Sequence, residues 1–362
     1  MKFIKSNEMK QGMRTAKPIY NREGVLLYVR NTLINENVLQ KIQKLNIYGM
    51  YILEPTEPLP PVSQEDEEFE RFQTVMCYEL KKELDALVAK RPFSIDYISS
   101  EIIKKYGNSK RKINYLQTIR SNEDYPYKHC LSVAMLCAII CSGLNIDEKE
   151  KEYIVSSALI HDIGKLIAPP EIINKTGELS RDELRIVRDA ELMGYQMINK
   201  NYLIPSGIRR YIKQVEVERK NKMFQYSNAE QKLIVGTKII KVADLFDLLT
   251  AMRVYKDPMS GFSAIRLLQE KEDEYDEEIV TTLARGIYIL PVGACVELTN
   301  GEKGLILEES EYFLLRPKVL GFKSNTIYDL SQRKTYEKVQ IKDILKTMDN
   351  RFVMSDERIH AQ

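Results

Sequence analysis

Apolar and polar positions along the chain change their period twice, and each change marks a region. In residues 15–53 the apolar stretches are short. TAKPIYNREGVLLYV places two of them on either side of Asn21-Arg22-Glu23-Gly24, which predicts a β-hairpin closed by a glycine-containing turn. Asn35 then stands as the N-cap of a short helix carrying Val38, Leu39, Ile42 and Leu45, and Tyr48 to Leu53 reads as a return strand. Residues 1–53 are therefore expected to form a small α+β module. Pro55, Pro58, Pro60 and Pro61, followed by the acidic stretch Glu65 to Glu68, continue neither element, so a linker is expected over 54–64.

From 65 to 287 apolar residues recur every three or four positions, as one buried helical face requires, and this region is expected to be all-α. FERFQTVMCYELKKELDALVAK and PFSIDYISSEIIKKYG open it. The segment YKHCLSVAMLCAIICSG, residues 127–143, is apolar nearly all round and belongs deep in the core. Asp147 with Glu150, and Ser180 with Glu183, have the spacing of capping boxes that start the next helices. VGTKIIKVADLFDLLTAM is another strongly apolar helix, with Asp244 and Asp247 three apart on one face. Strand patterning returns over 288–350, where ACVELT and EKGLILEE flank Asn300-Gly301 and YFLLRPKVL supplies a further strand. Residues 351–362 read as a polar tail with His360 a bystander in it. The fold expected is mainly α: a helical bundle flanked by a small N-terminal α+β module and a small C-terminal β module.

Composition narrows the function classes. The formal net charge of +2 is the difference of two large, nearly equal sets, so no overall field argues for nucleic acid or membrane as a partner. Five cysteines, an odd number without CxxC spacing, argue against a disulfide framework and a zinc finger and fit a reducing, cytoplasmic compartment. The N-terminal MKFIKSNEMKQGMR lacks the apolar run of a signal peptide, and no later run reaches membrane-spanning length.

The candidate chemistry sits at His161-Asp162-Ile163-Gly164-Lys165, where an apolar run including Ile154, Val155, Ala158, Leu159 and Ile160 meets a glycine. Burying polar groups there without partners costs roughly 2–7 kcal/mol each, and more for a charge. A divalent metal satisfies both at once, whereas a histidine bonded to its own surroundings is the plainer reading. His129 on the apolar helix and Asp244 on a later one add two more candidate ligands. Of the three histidines in the chain, two fall in this pattern. Mixed imidazole and carboxylate ligands suit Fe, Mn, Zn or Ni better than calcium.

The order H, HD, D is the signature of the HD superfamily. Over most of its length the chain resembles the HD-GYP family of bacterial cyclic-di-GMP phosphodiesterases, through YKHCLSVAMLCAII, ALIHDIGKLIAPPEIINKTGELS and KIIKVADLFDLLTAMRVYKDPMS. The resemblance implies that His129, His161, Asp162 and Asp244 hold metal. It implies that Asp162 and Lys165 act in catalysis, and that Lys165, Arg253 and Lys256 contact substrate phosphate. Cations at those places make independent sense, because a phosphodiester transition state gathers negative charge on oxygen. For Arg253 and Lys256 a solvated helix end is the competing reading.

Several positions depart from the family. Tyr125 stands where it has an acidic ligand, Ala190 where it has a histidine, and Glu216-Val217 where it has a histidine pair. Lys222 to Tyr226 reads KMFQY, so the GYP element is lost, and Gly194-Tyr195-Gln196 lies too early to replace it. These departures fall on the ligands of a second metal and leave those of the first. Two function classes follow: a metal-dependent phosphohydrolase, most simply a phosphodiesterase acting on a cyclic dinucleotide or related nucleotide with one divalent transition metal, or a catalytically degenerate domain that serves as nucleotide receptor or protein scaffold. The flanking modules are expected to pack on the helical domain or to mediate self-association or contact with a signalling partner.

Overall fold

The computed structural model describes residues 2–5, 8–21, 25–44, 49–53, 63–109, 111–115, 124–173, 175, 177–224, 233–251 and 258–345. The prolines of the expected linker and the tail with His360 lie outside the described residues. The architecture is mainly helical with a small β-containing unit at each end, as the periodicity predicts.

The N-terminal unit runs β1 (Lys2–Lys5), β2 (Ile19–Tyr20), β3 (Leu26–Tyr28), α1 (Glu36–Lys44) and β4 (Gly49–Ile52). β2 and β3 form the expected hairpin, and Asn35 caps α1 by accepting from the Val38 N–H at 3.0 Å. The return strand β4 pairs antiparallel with β1, a strand too short and too polar to stand out in the pattern. Met9, Ile19, Ile34, Ile42, Met50 and Ile52 give this unit a core of its own.

The helical region begins at α2 (Gln64–Val88). The Ser63 hydroxyl accepts from the Asp66 N–H at 3.1 Å, and Asp66 accepts from the Ser63 N–H at 3.3 Å. The acidic run Glu65–Glu68 lies in the first turns of α2, where the helical region is expected to begin and where carboxylates are favoured at the positive end of the helix dipole. There follow α3 (Asp96–Tyr106), α4 (Tyr125–Gly143), α5 (Glu148–Ile160), α6 (Gly164–Ile167), α7 (Pro170–Ile173), α8 (Arg181–Lys200), α9 (Ser206–Phe224), α10 (Val235–Thr250), α11 (Gly261–Glu270) and α12 (Glu277–Gly286). Ser180 and Glu183 form the capping box predicted for α8. At α5 only half of the expected box is present. Asp147 accepts from Lys149 and Glu150 N–H groups, while the Glu150 carboxylate bonds Arg210 and Tyr211 and so ties α5 to α9.

Helix α4 is the axis of the bundle and packs against α2, α3, α5, α10 and α12. Every residue from Cys130 to Cys141 is buried, as an all-round apolar surface demands. Among the described residues it is the one helix long and apolar enough to cross a membrane, and its window is 83% buried inside the protein. It is a core helix.

The C-terminal unit comprises β5 (Cys295–Leu298), β6 (Lys303–Glu308), β7 (Lys318–Gly321), β8 (Ile327–Asp329), α13 (Arg333–Tyr336) and β9 (Ile341–Ile344). Its strands make one antiparallel sheet in the order β8-β7-β6-β5-β9. Asn300-Gly301 closes the β5–β6 hairpin, with Gly301 at φ +80°, where glycine is unstrained. The strand expected from YFLLRPKVL is confined to its end, since Pro317 has no N–H for a ladder and the preceding residues form a loop. Val296, Leu298, Ile306, Val319 and Ile341 join the same apolar cluster as the helices, so this sheet packs onto the bundle.

One close crossing positions the His161-Asp162 turn. A Cβ on Gly194 of α8 would lie 2.6 Å from Ile163 Cγ2 and 2.7 Å from the Gly164 nitrogen, and one on Gly164 would lie 2.5 Å from Glu191 Cα. Backbone meets backbone here, so no flexible side chain can give way. Gly194→Ala is expected to destabilise the chain by about 1–3 kcal/mol, the usual range for overpacking. Urea unfolding measures this, and an unchanged midpoint would show that the crossing is not tight.

Candidate metal centre

Three helices deliver the polar groups. His129 lies one turn into α4, His161 ends α5, Asp162 begins the turn into α6, and Asp244 and Asp247 come from α10. His129, His161 and Asp162 are buried, and Asp244 keeps 29% of its side chain exposed. The ligand atoms of His129, His161 and Asp244 all lie within 4.8 Å of one another.

Two hydrogen bonds set the histidine tautomers. His129 Nδ1 lies 2.6 Å from Asp247 Oδ2, and His161 Nδ1 lies 2.8 Å from the Ala158 carbonyl oxygen. Both partners only accept, so both Nδ1 atoms donate, and each neutral ring is left with a lone pair on Nε2. These are the atoms that converge. His129 Nε2 is 3.1 Å from Asp244 Oδ1 and 3.2 Å from Asp162 Oδ2; His161 Nε2 is 3.7 Å and 3.9 Å from the same two oxygens. In spite of those distances, none of these four buried atoms hydrogen-bonds another, and among the described residues only Asp162 Oδ2 has an ion-pair partner outside the set, Lys165.

That combination fits a metal ion. Two ligands each about 2.1 Å from one ion sit roughly 3.0–3.4 Å apart, which the 3.1 and 3.2 Å at His129 match and the 3.7 and 3.9 Å at His161 exceed by a few tenths of an ångström. His161 also lies at the C-terminal end of α5, where the helix dipole favours positive charge. The electrostatics carry the same sign. Burial lowers the His161 pKa, but Asp162 and Asp244 outweigh it and lift the value to about 9. For His129 burial and the Lys165 charge oppose protonation, and Asp162, Asp244 and Asp247 together still raise it well above the ordinary range. The cluster draws in positive charge.

Asp162 has a second set of partners. Lys165 Nζ pairs with its Oδ2 and Arg219 Nη2 with its Oδ1. Burial opposes ionisation of this carboxyl, but Lys165, Arg219 and His161 hold it well below the usual carboxylate range. Arg219 also reaches the His161 carbonyl at 3.4 Å.

The divergent positions have new occupations. The Tyr125 ring stacks on His129, centroids 5.7 Å apart at 10°. Ala190 is buried and offers no donor. Glu216 is bonded by Arg188, which also reaches Glu191 at 3.1 Å, and Glu218 pairs with Lys241. Where the GYP element would fall, α9 continues through Phe224, and residues 225–232 are outside the described residues. Arg253 and Lys256 are likewise outside them. The structure thus brings His129, His161, Asp162, Asp244 and Lys165 together. It adds Asp247 and Arg219, to which sequence reasoning gave no role. Asp247 had a signal, an acid embedded in an apolar helix. Arg219 had none, since its helix reads as a solvated run of Lys, Arg and Glu.

A helical bundle with this clustered H, HD, D set defines an HD-domain protein, and residues 100–279 match the family model described as HD domain. These residues are similar to that family, and the HD-GYP resemblance read from HDIGK and its surroundings holds. Its relatives include the cyclic di-GMP phosphodiesterase PA4108 of Pseudomonas aeruginosa, 25% identical over 232 residues that span 63% of this chain and 54% of the relative. Another is the 3'3'-cGAMP-specific phosphodiesterase 2 of Vibrio cholerae, 27% identical over 159 residues spanning 43% of this chain and 30% of that one. The chain therefore spans about half or less of the length of these relatives. A solved structure, Bd1817, an HDG"Y"P protein from Bdellovibrio bacteriovorus, covers 78% of this chain and 97% of its own with a TM-score of 0.45 and 11% identity.

Asp247→Asn tests the tautomer argument. An amide can donate its N–H to His129 Nδ1 and favour the wrong tautomer, so metal affinity is expected to fall by roughly 10–100-fold, as for other partners of metal-bound histidines. Competition with a chelator reads the affinity. Wild-type affinity in the variant would remove Asp247 from the centre.

Proposed function

We propose that the chain is a metal-dependent phosphohydrolase of HD type that cleaves a phosphodiester bond in a cyclic dinucleotide. The observation that carries this reading is the set of four buried ligand atoms, two imidazole nitrogens and two carboxylate oxygens, that converge without bonding one another. His129, His161 and Asp244 hold the ion, with Asp162 Oδ2 at the edge of the same set. The ion supplies Lewis-acid polarisation of a phosphoryl oxygen and activation of water.

The chain's own residues do the remainder. Asp247 and the Ala158 carbonyl keep the two Nε2 lone pairs aimed at the ion. Lys165 and Arg219 place fixed positive charge beside it, where charge develops on phosphate oxygens. Lys165 and Arg219 keep Asp162 ionised, and Asp162 in turn holds those two cations beside the ion. Arg253 and Lys256 remain the candidates for further phosphate contacts.

The centre takes one ion in this proposal. Ala190 and Val217 offer no ligand, Glu216 is committed to Arg188, and the cavity beside His161 bounded by Glu191, Glu216 and Arg219 measures only about 10 Å³. That is about the lower limit for one water, roughly 10–15 Å³. Fe, Mn, Zn and Ni all suit the donor set. The odd number of cysteines without CxxC spacing supports a reducing, cytoplasmic setting.

One observation favours a second reading. Helix α9 runs on where relatives of HD-GYP type carry the GYP element, so the domain would then bind a cyclic dinucleotide without turnover. Metal analysis and chromatography of products from cyclic di-GMP and 3'3'-cGAMP separate the two. About one ion per chain and metal-dependent hydrolysis are expected, with both lost in Asp244→Ala. Arg219→Gln is expected to keep the ion and lose at least tenfold in rate, on the scale of removing a charge-stabilising donor, about 10²–10³ at most. A metal-free protein with no hydrolysis would rule out the enzyme, and tight binding without turnover would establish the receptor.

A further inference from the structure

Between the outer faces of α11 and α12 and the loop joining β6 to β7 lies a cavity of about 450 Å³. Small-ligand pockets run from roughly 300 to 1,000 Å³. This one shares no residue with the metal centre.

Three guanidinium groups line it, Arg266 from α11, Arg285 from α12 and Arg316 from the loop, against the single carboxylate of Glu277. Arg266 reaches Glu270 only at 3.6 Å, and among the described residues Arg285 and Arg316 have no ion pair. Like charges lining one cavity repel, and a bound anion relieves that repulsion. Arg316 is held for the task by its faces. Its Cζ lies 3.8 Å from the Tyr336 ring centroid and 4.9 Å from that of Phe313. Stacking covers the face of a guanidinium and leaves its N–H edge, the fork that grips phosphate in two places.

Aromatic surface supplies the other half of a ligand. Tyr312 is 81% exposed and Phe313 46%, both on the cavity wall. Rings left in water beside unpaired arginines suit a flat, phosphate-bearing molecule, since bases stack on aromatic side chains whatever their identity. The enclosed volume suits one small molecule rather than a strand of nucleic acid, and the chain's net charge of +2 gives no field for a polyanion.

We propose that this junction cavity is a second ligand site, which takes a nucleoside phosphate with its phosphate on Arg285 and Arg316 and its base on the Tyr312 and Phe313 rings. The site is independent of the metal centre. Calorimetric titration of the full chain with GMP, guanosine and inorganic phosphate tests it, in the wild type, Asp244→Ala, Arg285→Ala, Arg316→Lys and the Arg285→Ala/Arg316→Ala double variant. GMP is expected to bind wild type and Asp244→Ala alike, at least tenfold more tightly than guanosine or phosphate alone. The double variant is expected to lose at least tenfold, and Arg316→Lys, which keeps the charge but not the fork, an intermediate amount. Arg285 is exposed on α12, so its single variant with an unchanged thermal midpoint separates loss of ligand from loss of fold. No GMP binding at millimolar concentration would overturn the proposal. So would binding lost with Asp244 but indifferent to both arginines, or phosphate binding as tightly as GMP.

Discussion

The fold depends on keeping charge dry at one place. His129, His161, Asp162 and Asp247 sit where apolar helices meet, and each side chain is buried. Taking an ion out of water costs several kcal/mol even after relaxation, so such a cluster persists only if every charge has a counter-charge and every lone pair a use. Asp247 is satisfied through His129, and Asp162 through Lys165 and Arg219. His129 Nε2, His161 Nε2 and Asp244 Oδ1 remain over, facing the Asp162 oxygen that Lys165 also holds. A divalent cation is the object that neutralises two carboxylates and uses two imidazole lone pairs together. Removing one partner from such a set is far more damaging than replacing the whole set with apolar groups, because the remainder is left buried and unpaired.

The two sides of the His161-Asp162 turn solve this problem differently. On the His129 side the convergent atoms call for an ion. On the α8 and α9 side the charges are covalently fixed: Arg219 meets Asp162, and Arg188 meets Glu191 and Glu216. A guanidinium supplies a full positive charge and directed N–H groups to a phosphate, but it has no open coordination position and cannot polarise a water as an ion does. In the proposed one-ion centre, the fixed cations would retain the electrostatic part of a two-ion clamp and half of its Lewis acidity would be given up. Hydrolysis with a slower chemical step, or recognition without it, are the two outcomes this exchange allows.

The parts of this arrangement that were legible in the sequence were those that break a hydrophobic pattern. His129, His161, Asp162 and Asp244 stand out because polar groups are costly inside apolar helices, and the same logic places α4 at the centre. Asp247 breaks the pattern too, yet its task could not be read. Spacing of three puts it on the same helical face as Asp244, and only the packing of α10 against α4 decides which carboxylate faces the open side and which receives His129 Nδ1–H. Arg219 breaks no pattern, for a long cation on a charged helix looks the same whether it ends in water or on a buried carboxylate. At the C-terminus YFLLRPKVL looked like a strand because its apolar residues are β-formers. Arg316 and Pro317 instead end a loop, and the exposed rings of Tyr312 and Phe313 belong to a cavity wall.

The terminal units differ in how they are coupled to the metal centre, and the difference follows from where their apolar residues go. The N-terminal unit closes its own core and meets α2 through polar contacts such as Lys17 with Glu70 and the Tyr20 hydroxyl with the Glu67 carbonyl. Both side chains of the Lys17–Glu70 pair are largely buried. The C-terminal sheet instead shares its core with the helices. Val296, Leu298, Ile306 and Val319 are fully buried in the cluster that contains α4 and α12, and exposing each would forfeit roughly 1.5–3 kcal/mol. The sheet is thus part of the scaffold that holds α4, and through it His129, in position.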